Sequence, residues 1–160
     1  MPLLPPRDDD YRGSPLAVWF LWLQIAVNAF RGWVHVFWAD SGAGRIAGID
    51  LSHDARPVIS LLAAVGADQL AWGVIELGAV LRYRRWIPTV LAFVLAKQVT
   101  AAWLLWLWKP LGVAAPGKYG ALYGVPIAAL AFALSLRERK PAKLARSEPS
   151  ASELEQWPPR

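Results

Sequence analysis

Four long apolar stretches divide the chain, at about residues 16–38, 57–81, 86–108 and 119–136. About 20 helical residues, each rising about 1.5 Å, cross a hydrocarbon core of about 30 Å, and every stretch approaches or exceeds that length. A soluble bundle would need polar side chains over about half of each helix surface, whereas the third stretch, WIPTVLAFVLAKQVTAAWLLWLW, holds a single charged residue. The pattern predicts an all-α fold, a four-helix transmembrane bundle over residues 14–138.

The basic residues predict the orientation of this bundle. The N-terminal segment, the second loop and the C-terminal tail together carry eleven Lys and Arg, and the other two loops carry four. Because basic residues are retained on the cytoplasmic side, both termini are predicted to be cytoplasmic. The flanking residues 1–13 are rich in Pro and charge and residues 139–160 in Pro, Ser and charge, and we expect both segments to be disordered.

Composition agrees with a membrane location. Hydrophobic residues make up 56% of the chain and charged residues 18%, and the ten Trp lie mostly toward the ends of the apolar stretches, as in membrane-interface belts. The net charge of +5 is concentrated beside those stretches, which does not suggest a nucleic-acid partner. The absence of Cys excludes disulfides and thiol chemistry.

Polar side chains inside the stretches are the candidate functional residues. Gln24, Asn28, Arg31 and His35 recur at helical spacing and form one polar stripe within an arc of about 60°. The predicted buried polar network consists of Gln24, Asn28, Arg31, His35, Asp68, Glu76, Lys97 and Thr100.

The span midpoints place Asp68 and Lys97 at nearly the same level, close to the bilayer centre. A charge there costs about 2.5–3.5 kcal/mol on insertion scales. We therefore expect Asp68 to pair with Lys97, with Arg31 reaching Asp68 directly or through a polar neighbour. Such a network serves either to hold helices together or as an ion path, proton relay or ligand site.

The last stretch carries small residues on one face. Gly120, Gly124, Ala128 and Ala131 are spaced by four, four and three, which permits close approach of another helix. The partner is a helix of the same chain or, alternatively, a second copy. No catalytic motif is present, and the two His residues, His35 and His53, have no ligand spacing, so neither a catalytic residue nor a metal site is predicted.

Several segments resemble the DoxX-like group of small bacterial membrane proteins. They are the Asn28–Arg31 pair, ADSGAGRIAGIDLS after it, the DQLAWGVIELGAVLRYR helix and KPLGVAAPGKYG before the last span. The resemblance covers most of residues 16–136. It implies a four-span fold in the bacterial inner membrane and, since some members are linked to quinone-coupled redox complexes or oxidative-stress tolerance, a quinone as the one suggested cofactor.

Three functions remain open at this point. The first is an accessory subunit or a lipid- or quinone-associated membrane protein, without enzymatic activity of its own, in contact with the bilayer and with a membrane partner or a second copy. The second is a small transporter or proton-conducting protein that uses Arg31, Asp68, Glu76 and Lys97. The third is a membrane enzyme acting on a lipid-soluble substrate, with Asp68 or Glu76 as acid and base.

Overall fold

The computed structural model describes residues 6–137, and within them every regular element is helical. Helix α1 covers Pro15–Phe37, α2 covers Ala55–Leu81, α3 covers Ile87–Trp103 and α4 covers Pro116–Leu136. A 3₁₀ turn at Arg84–Trp86 leads into α3, and a π-helical turn at Leu104–Trp108 extends it. The predicted all-helical fold is confirmed for this range, and the predicted tail at 139–160 lies outside it.

Proline marks where several helices begin. Pro15 and Pro116 occupy the first position of α1 and α4, where the missing N–H of proline has no intrahelical partner to lose. Ser14 adds a side-chain cap to α1, because its Oγ accepts a hydrogen bond from the Leu16 amide at 3.3 Å. These signals bring the helix starts to within three residues of the predicted apolar boundaries.

Three of these helical segments are long and apolar enough to cross a membrane: Ala55–Leu81, Arg84–Trp108 and Pro116–Leu136. Helix α1 is of similar length, at 23 residues, but is not among them. Its polar stripe explains the difference, because Gln24, Asn28, Arg31 and His35 replace apolar side chains along one face.

The helices associate as two pairs, α1 with α2 and α3 with α4. The sequence predicts a tight hairpin of the second and third helices, and the connection between them is indeed short, yet α2 and α3 hardly touch. Glycines explain the preference of α2 for α1. A Cβ added to Gly66 would lie 2.6 Å from the His35 Cβ, and one added to Gly32 would lie 2.9 Å from the Gly66 carbonyl oxygen.

All four helices meet at only one end of the bundle, which we call the base: the starts of α1 and α3 and the ends of α2 and α4. Its core is purely apolar. The buried residues there are Ala17, Leu21, Ala79, Val80, Ile87, Val90, Leu91, Val94, Ala128 and Ala131.

The N-terminal segment lies across the base, although the sequence predicts disorder for residues 1–13. The Asp8 amide donates to the Arg82 carbonyl at 3.0 Å, and the Arg84 amide donates to the Asp8 carbonyl at 2.8 Å. The Ser14 amide donates to the Leu134 carbonyl at 3.1 Å. Backbone hydrogen bonds, which composition does not reveal, therefore order residues 8–14, while residues 1–5 lie outside the described part.

The loop between α1 and α2 closes the opposite end, which we call the far end. Asp40 organises it: its carboxylate accepts hydrogen bonds from the amides of Gly42 and Arg45, both at 3.0 Å. These amides, with that of Arg45 contributing most, hold the pKa of the Asp40 carboxyl below its ordinary value. Positive φ angles at Ser41, Gly42 and Gly48 let the chain turn sharply here.

Candidate polar site between the helix pairs

The polar stripe of α1 faces the interior of the bundle. Asn28 is buried, and Gln24, Arg31 and His35 are each half-buried, whereas Phe30 and Trp33 on the other side of the helix are exposed. Because an α-helix repeats every 3.6 residues, steps of four, three and four keep the stripe on one face. In the structure the polar side of α1 is therefore turned inward and its apolar side outward.

Glu76 of α2 is the charged residue that α1 meets. It has no exposed surface, and the Asn28 amide nitrogen Nδ2 donates a 2.9 Å hydrogen bond to its Oε2. A Cβ added to Gly73, one turn earlier on α2, would lie 3.6 Å from the Asn28 Cβ, which is an ordinary contact distance. The two residues thus join α1 to α2 through a buried hydrogen bond toward the base side of the polar stripe.

Three buried polar atoms on α2 have no hydrogen-bond partner among the described residues: Gln69 Oε1, Trp72 Nε1 and Glu76 Oε1. Steps of three and four place them on one face of the helix. An unsatisfied buried polar atom costs about 1–3 kcal/mol, and native proteins keep few of them. The three atoms lie along one face of α2 over a rise of about 10 Å, and the Trp72 indole is a neighbour of the Glu76 carboxyl group on that face.

Lys97 of α3 brings a cation to this region. Its Nζ lies 5.4 Å from the centre of the Trp72 ring, within cation–π range. The charged groups in its neighbourhood are the carboxyl groups of Glu76 and Asp68 and the guanidinium of Arg31. Phe93, one turn earlier on α3, meets Trp72 edge to face at 6.3 Å. Trp72 is therefore the side chain through which α3 contacts the polar face of α2.

The predicted ion pair between Asp68 and Lys97 is not formed. The three ion pairs among residues 6–137 join Arg7 to Asp9, Arg12 to Asp10 and Arg85 to Asp8, all near the base. Asp68 is exposed, as are Lys97 and Thr100. The physical reason is the pairing of the helices: α2 turns the face of Gly66, Gln69, Gly73 and Glu76 toward α1, and Asp68 lies one residue, about 100°, away from that face.

Toward the far end the stripe makes two further contacts. His35 Nδ1 lies 2.7 Å from the Ser41 carbonyl oxygen, and since a carbonyl only accepts, Nδ1 is the donor. The Arg31 guanidinium lies beside Gly117 in the first turn of α4, where an added Cβ would be 3.2 Å from one of its nitrogens. Arg31 thus links the two helix pairs without reaching Asp68.

The small-residue face of α4 is largely used within the chain. Gly124 faces the Gln98 side chain of α3, which would lie 2.6 Å from an added Cβ, and Ala128 and Ala131 belong to the core of the base. An added Cβ at Gly120 would meet nothing within 4 Å, so this position alone is open.

A cavity of about 470 Å³ lies at the base and is lined by charged residues, among them Asp10, Arg12 and Arg85. A groove of about 720 Å³ between α3 and α4 is lined by residues such as Trp103, Trp106 and Tyr123 and by no charged side chain. No cluster of three or more His, Asp or Glu suited to a metal ion occurs among residues 6–137. The candidate functional site is therefore the group formed by Asn28, Gln69, Trp72, Glu76 and Lys97, which we call the Glu76 site.

Fold and site together define a class: an all-helical protein with three helices able to cross a membrane and a buried carboxyl group where two helix pairs meet. Comparison with protein-family models, curated proteins and solved structures finds no match for the chain. The resemblance to the DoxX-like group accordingly stays a prediction.

Proposed function

We propose that this is an accessory protein of the bacterial inner membrane that crosses the bilayer four times and holds a lipid-soluble ligand by a polar group at the Glu76 site. The observation that carries the proposal is that Gln69 Oε1, Trp72 Nε1 and Glu76 Oε1 lie on one face of α2, buried and without a hydrogen-bond partner among the described residues. A bound polar group would satisfy them, and a helix contact made only for stability would not need them.

The topology is part of the proposal. Helix α1 would be the fourth crossing, since its 23 residues span about 34 Å at 1.5 Å each. Its polar stripe faces the bundle and would leave its apolar side to the lipid. The base would lie at the cytoplasmic surface, where basic residues are retained, and the loop with Asp40 would lie outside.

The absence of Cys makes this topology simple to test with single introduced thiols. In intact cells we expect a membrane-impermeant maleimide to label Ser52→Cys in the loop between α1 and α2. The Ser147→Cys variant, in the C-terminal tail, should be labelled only after permeabilisation. Labelling of both sites in intact cells would place the loop and the C-terminal tail on the same side of the membrane and contradict three crossings by α2, α3 and α4.

The ligand test is mass spectrometry of the protein purified in mild detergent. We expect a small molecule or lipid to co-purify with the wild type and to be lost from Glu76→Gln, which preserves side-chain shape but changes the carboxyl group. The control is Asp54→Asn, the same chemical change at an exposed loop carboxylate. Retention of the same bound molecule by Glu76→Gln would contradict the assignment of the site, and the same preparations would reveal a membrane partner or a second copy.

Proton conduction is the second candidate function. It is favoured by the sequence of polar groups that leads from the far end into the bundle: Ser41 to His35, then Arg31, then Asn28 and Glu76. In liposomes with a trapped pH indicator, a conducting protein would dissipate an imposed pH gradient, and Glu76→Gln would stop it. An accessory ligand-binding protein would leave the gradient unchanged in both forms.

A further inference from the structure

A cation of the protein itself, the Lys97 ammonium, already lies beside Trp72 and Glu76. Lys97 Nζ lies over the Trp72 ring at 5.4 Å, and Glu76 follows one turn after Trp72 on α2. Glu76 is fully buried and keeps one oxygen, Oε1, without a partner. An aromatic face beside a carboxylate is the chemistry by which proteins recognise ammonium groups.

The hold on Lys97 is loose. No hydrogen bond or ion pair of its ammonium is formed with the described residues, since the contact with Trp72 is to the ring and Glu76 stays beyond 4.0 Å. The Lys97 residue is exposed, and its side chain has a flexible stem of four carbons. The neighbouring carboxylate, Asp68, is also exposed and attracts Lys97 as well. Lys97 therefore has a second carboxylate to move to.

In the proposed topology, the side of the bundle between α2 and α3 faces the lipid. Helices α2 and α3 make few contacts with each other. At the level of Lys97 they meet through the edge-to-face contact of Trp72 with Phe93. Phe93 and Val74 on these helices are exposed and apolar. A molecule entering between α2 and α3 would leave its hydrocarbon part among lipid chains and bring its polar end to Trp72.

We propose that the Trp72–Glu76 pair binds the ammonium group of an amphiphilic organic cation, which displaces the Lys97 ammonium toward Asp68. Near this level the carboxyl groups are Asp68 and Glu76 and the cations are Lys97 of α3 and Arg31 of α1, so an incoming ammonium group can take the place of Lys97 while Lys97 stays beside Asp68. The inference rests on the proposed function and names the class of ligand for the same site. Lys97 acts as a tethered competitor that keeps the site occupied until such a ligand arrives.

The test uses the full-length protein in a neutral detergent with three probes of equal chain length: decyltrimethylammonium, decyl sulfate and decyl glucoside. Binding is measured by equilibrium dialysis. We expect the wild type to bind the cation at least about tenfold more tightly than the sulfate. If Lys97 occupies the site about nine-tenths of the time, Lys97→Gln should tighten cation binding by about tenfold, because the competent fraction of the protein rises.

The matched control is Lys109→Gln, which removes a positive charge from an exposed loop and should leave cation binding unchanged. Glu76→Gln should weaken cation binding by at least about tenfold. Should Glu76→Gln fail to give a monodisperse protein, Lys97→Gln still decides, because its side chain lies outside the core. Unchanged or weaker cation binding by Lys97→Gln, or equal binding of decyl sulfate by the wild type, would overturn the proposal.

Different results would contradict the proposed ligand site and the proposed cationic ligand. Loss of the co-purifying molecule from Glu76→Gln together with no preference for decyltrimethylammonium would leave the Glu76 site in place and refute the cation as its ligand. Retention of that molecule by Glu76→Gln would refute the site itself, whatever the probes do.

Discussion

The base and the middle of the bundle bury their residues by opposite means. At the base, all four helices contribute apolar side chains to one core, and fully buried residues such as Leu21, Ile87 and Leu91 fill it. Around Glu76 the buried side chains of α1 and α2 are polar, joined by one hydrogen bond and left with three unpartnered atoms. The first arrangement stabilises the fold, whereas the second leaves polar atoms unsatisfied at a cost in stability, and this cost is the reason for proposing a function for the middle of the bundle.

The largest effect should follow a cavity at the base. Leu91 has no exposed surface, and Leu91→Ala should destabilise the protein by about 2–5 kcal/mol, since the buried methyl groups are lost and the site does not fully collapse. Reversible unfolding in mixed micelles measures this. The control is Leu61→Ala at a residue that is 69% exposed, where we expect little change. Equal effects at both positions would mean that the base is not the stabilising core.

The polar middle should respond to a different kind of change. Asn28→Leu removes the donor to Glu76 Oε2 and should cost about 1–3 kcal/mol, because the carboxylate is left buried without it. The double variant Asn28→Leu with Glu76→Met should recover most of that loss, since an apolar pair leaves nothing unsatisfied. If the double variant lost as much stability as the two single variants together, the hydrogen bond would not couple Asn28 to Glu76.

The crossing of α1 and α2 offers a matched pair of glycines. Gly66→Ala would place a Cβ 2.6 Å from the His35 Cβ and 3.1 Å from the Gly32 carbonyl oxygen, so the helices must separate, at a cost of about 1–3 kcal/mol. Gly78→Ala on the same helix meets nothing within 4 Å and should be neutral or stabilising by up to about 1 kcal/mol through helix propensity. Thermal unfolding of both variants in one detergent makes the comparison, and equal destabilisation would rule out the close crossing.

The sequence was sufficient to predict the helices but not to predict which helices pack together. Apolar length and the prolines at 15 and 116 determine where α1 and α4 begin, and these are local properties. The depth of Asp68 and Lys97 was estimated from span midpoints, but depth does not say which helices pack together. The glycines at 66 and 73 indicate which face of α2 contacts α1, and that signal would have pointed to Gln69 and Glu76 in place of Asp68.

The N-terminal segment is a second region whose contacts could not be predicted from the sequence. Its charged composition predicts disorder, whereas the hydrogen bonds of Asp8 with Arg82 and Arg84 join two backbone segments distant in sequence. A side-chain pattern carries no information on such bonds, because every residue except proline offers the same backbone donor and acceptor.

The smallest predicted effect is a change in amide hydrogen exchange, and it compares the two ends of the bundle. At the far end the Asp40 carboxylate accepts the Gly42 and Arg45 amides, and its pKa is lowered chiefly by those bonds, that of Arg45 first. A carboxyl group whose folded pKa is lowered stabilises the fold above its unfolded pKa of about 3.9, and this contribution is lost as the pH falls through the folded pKa. Hydrogen-exchange protection of these two amides should therefore fall as the solution is acidified below about pH 4.

The base provides the contrast within the same experiment, because the Asp8 and Arg84 amides donate to backbone carbonyls, which do not titrate. Their protection should stay constant over the range in which that of Gly42 and Arg45 falls. Asp40→Asn keeps an acceptor oxygen without an ionisable proton, so in that variant the far-end amides should lose their pH dependence. If protection at both ends fell together, acid would be unfolding the bundle as a whole, and Asp40 would have no separate role in ordering the far end.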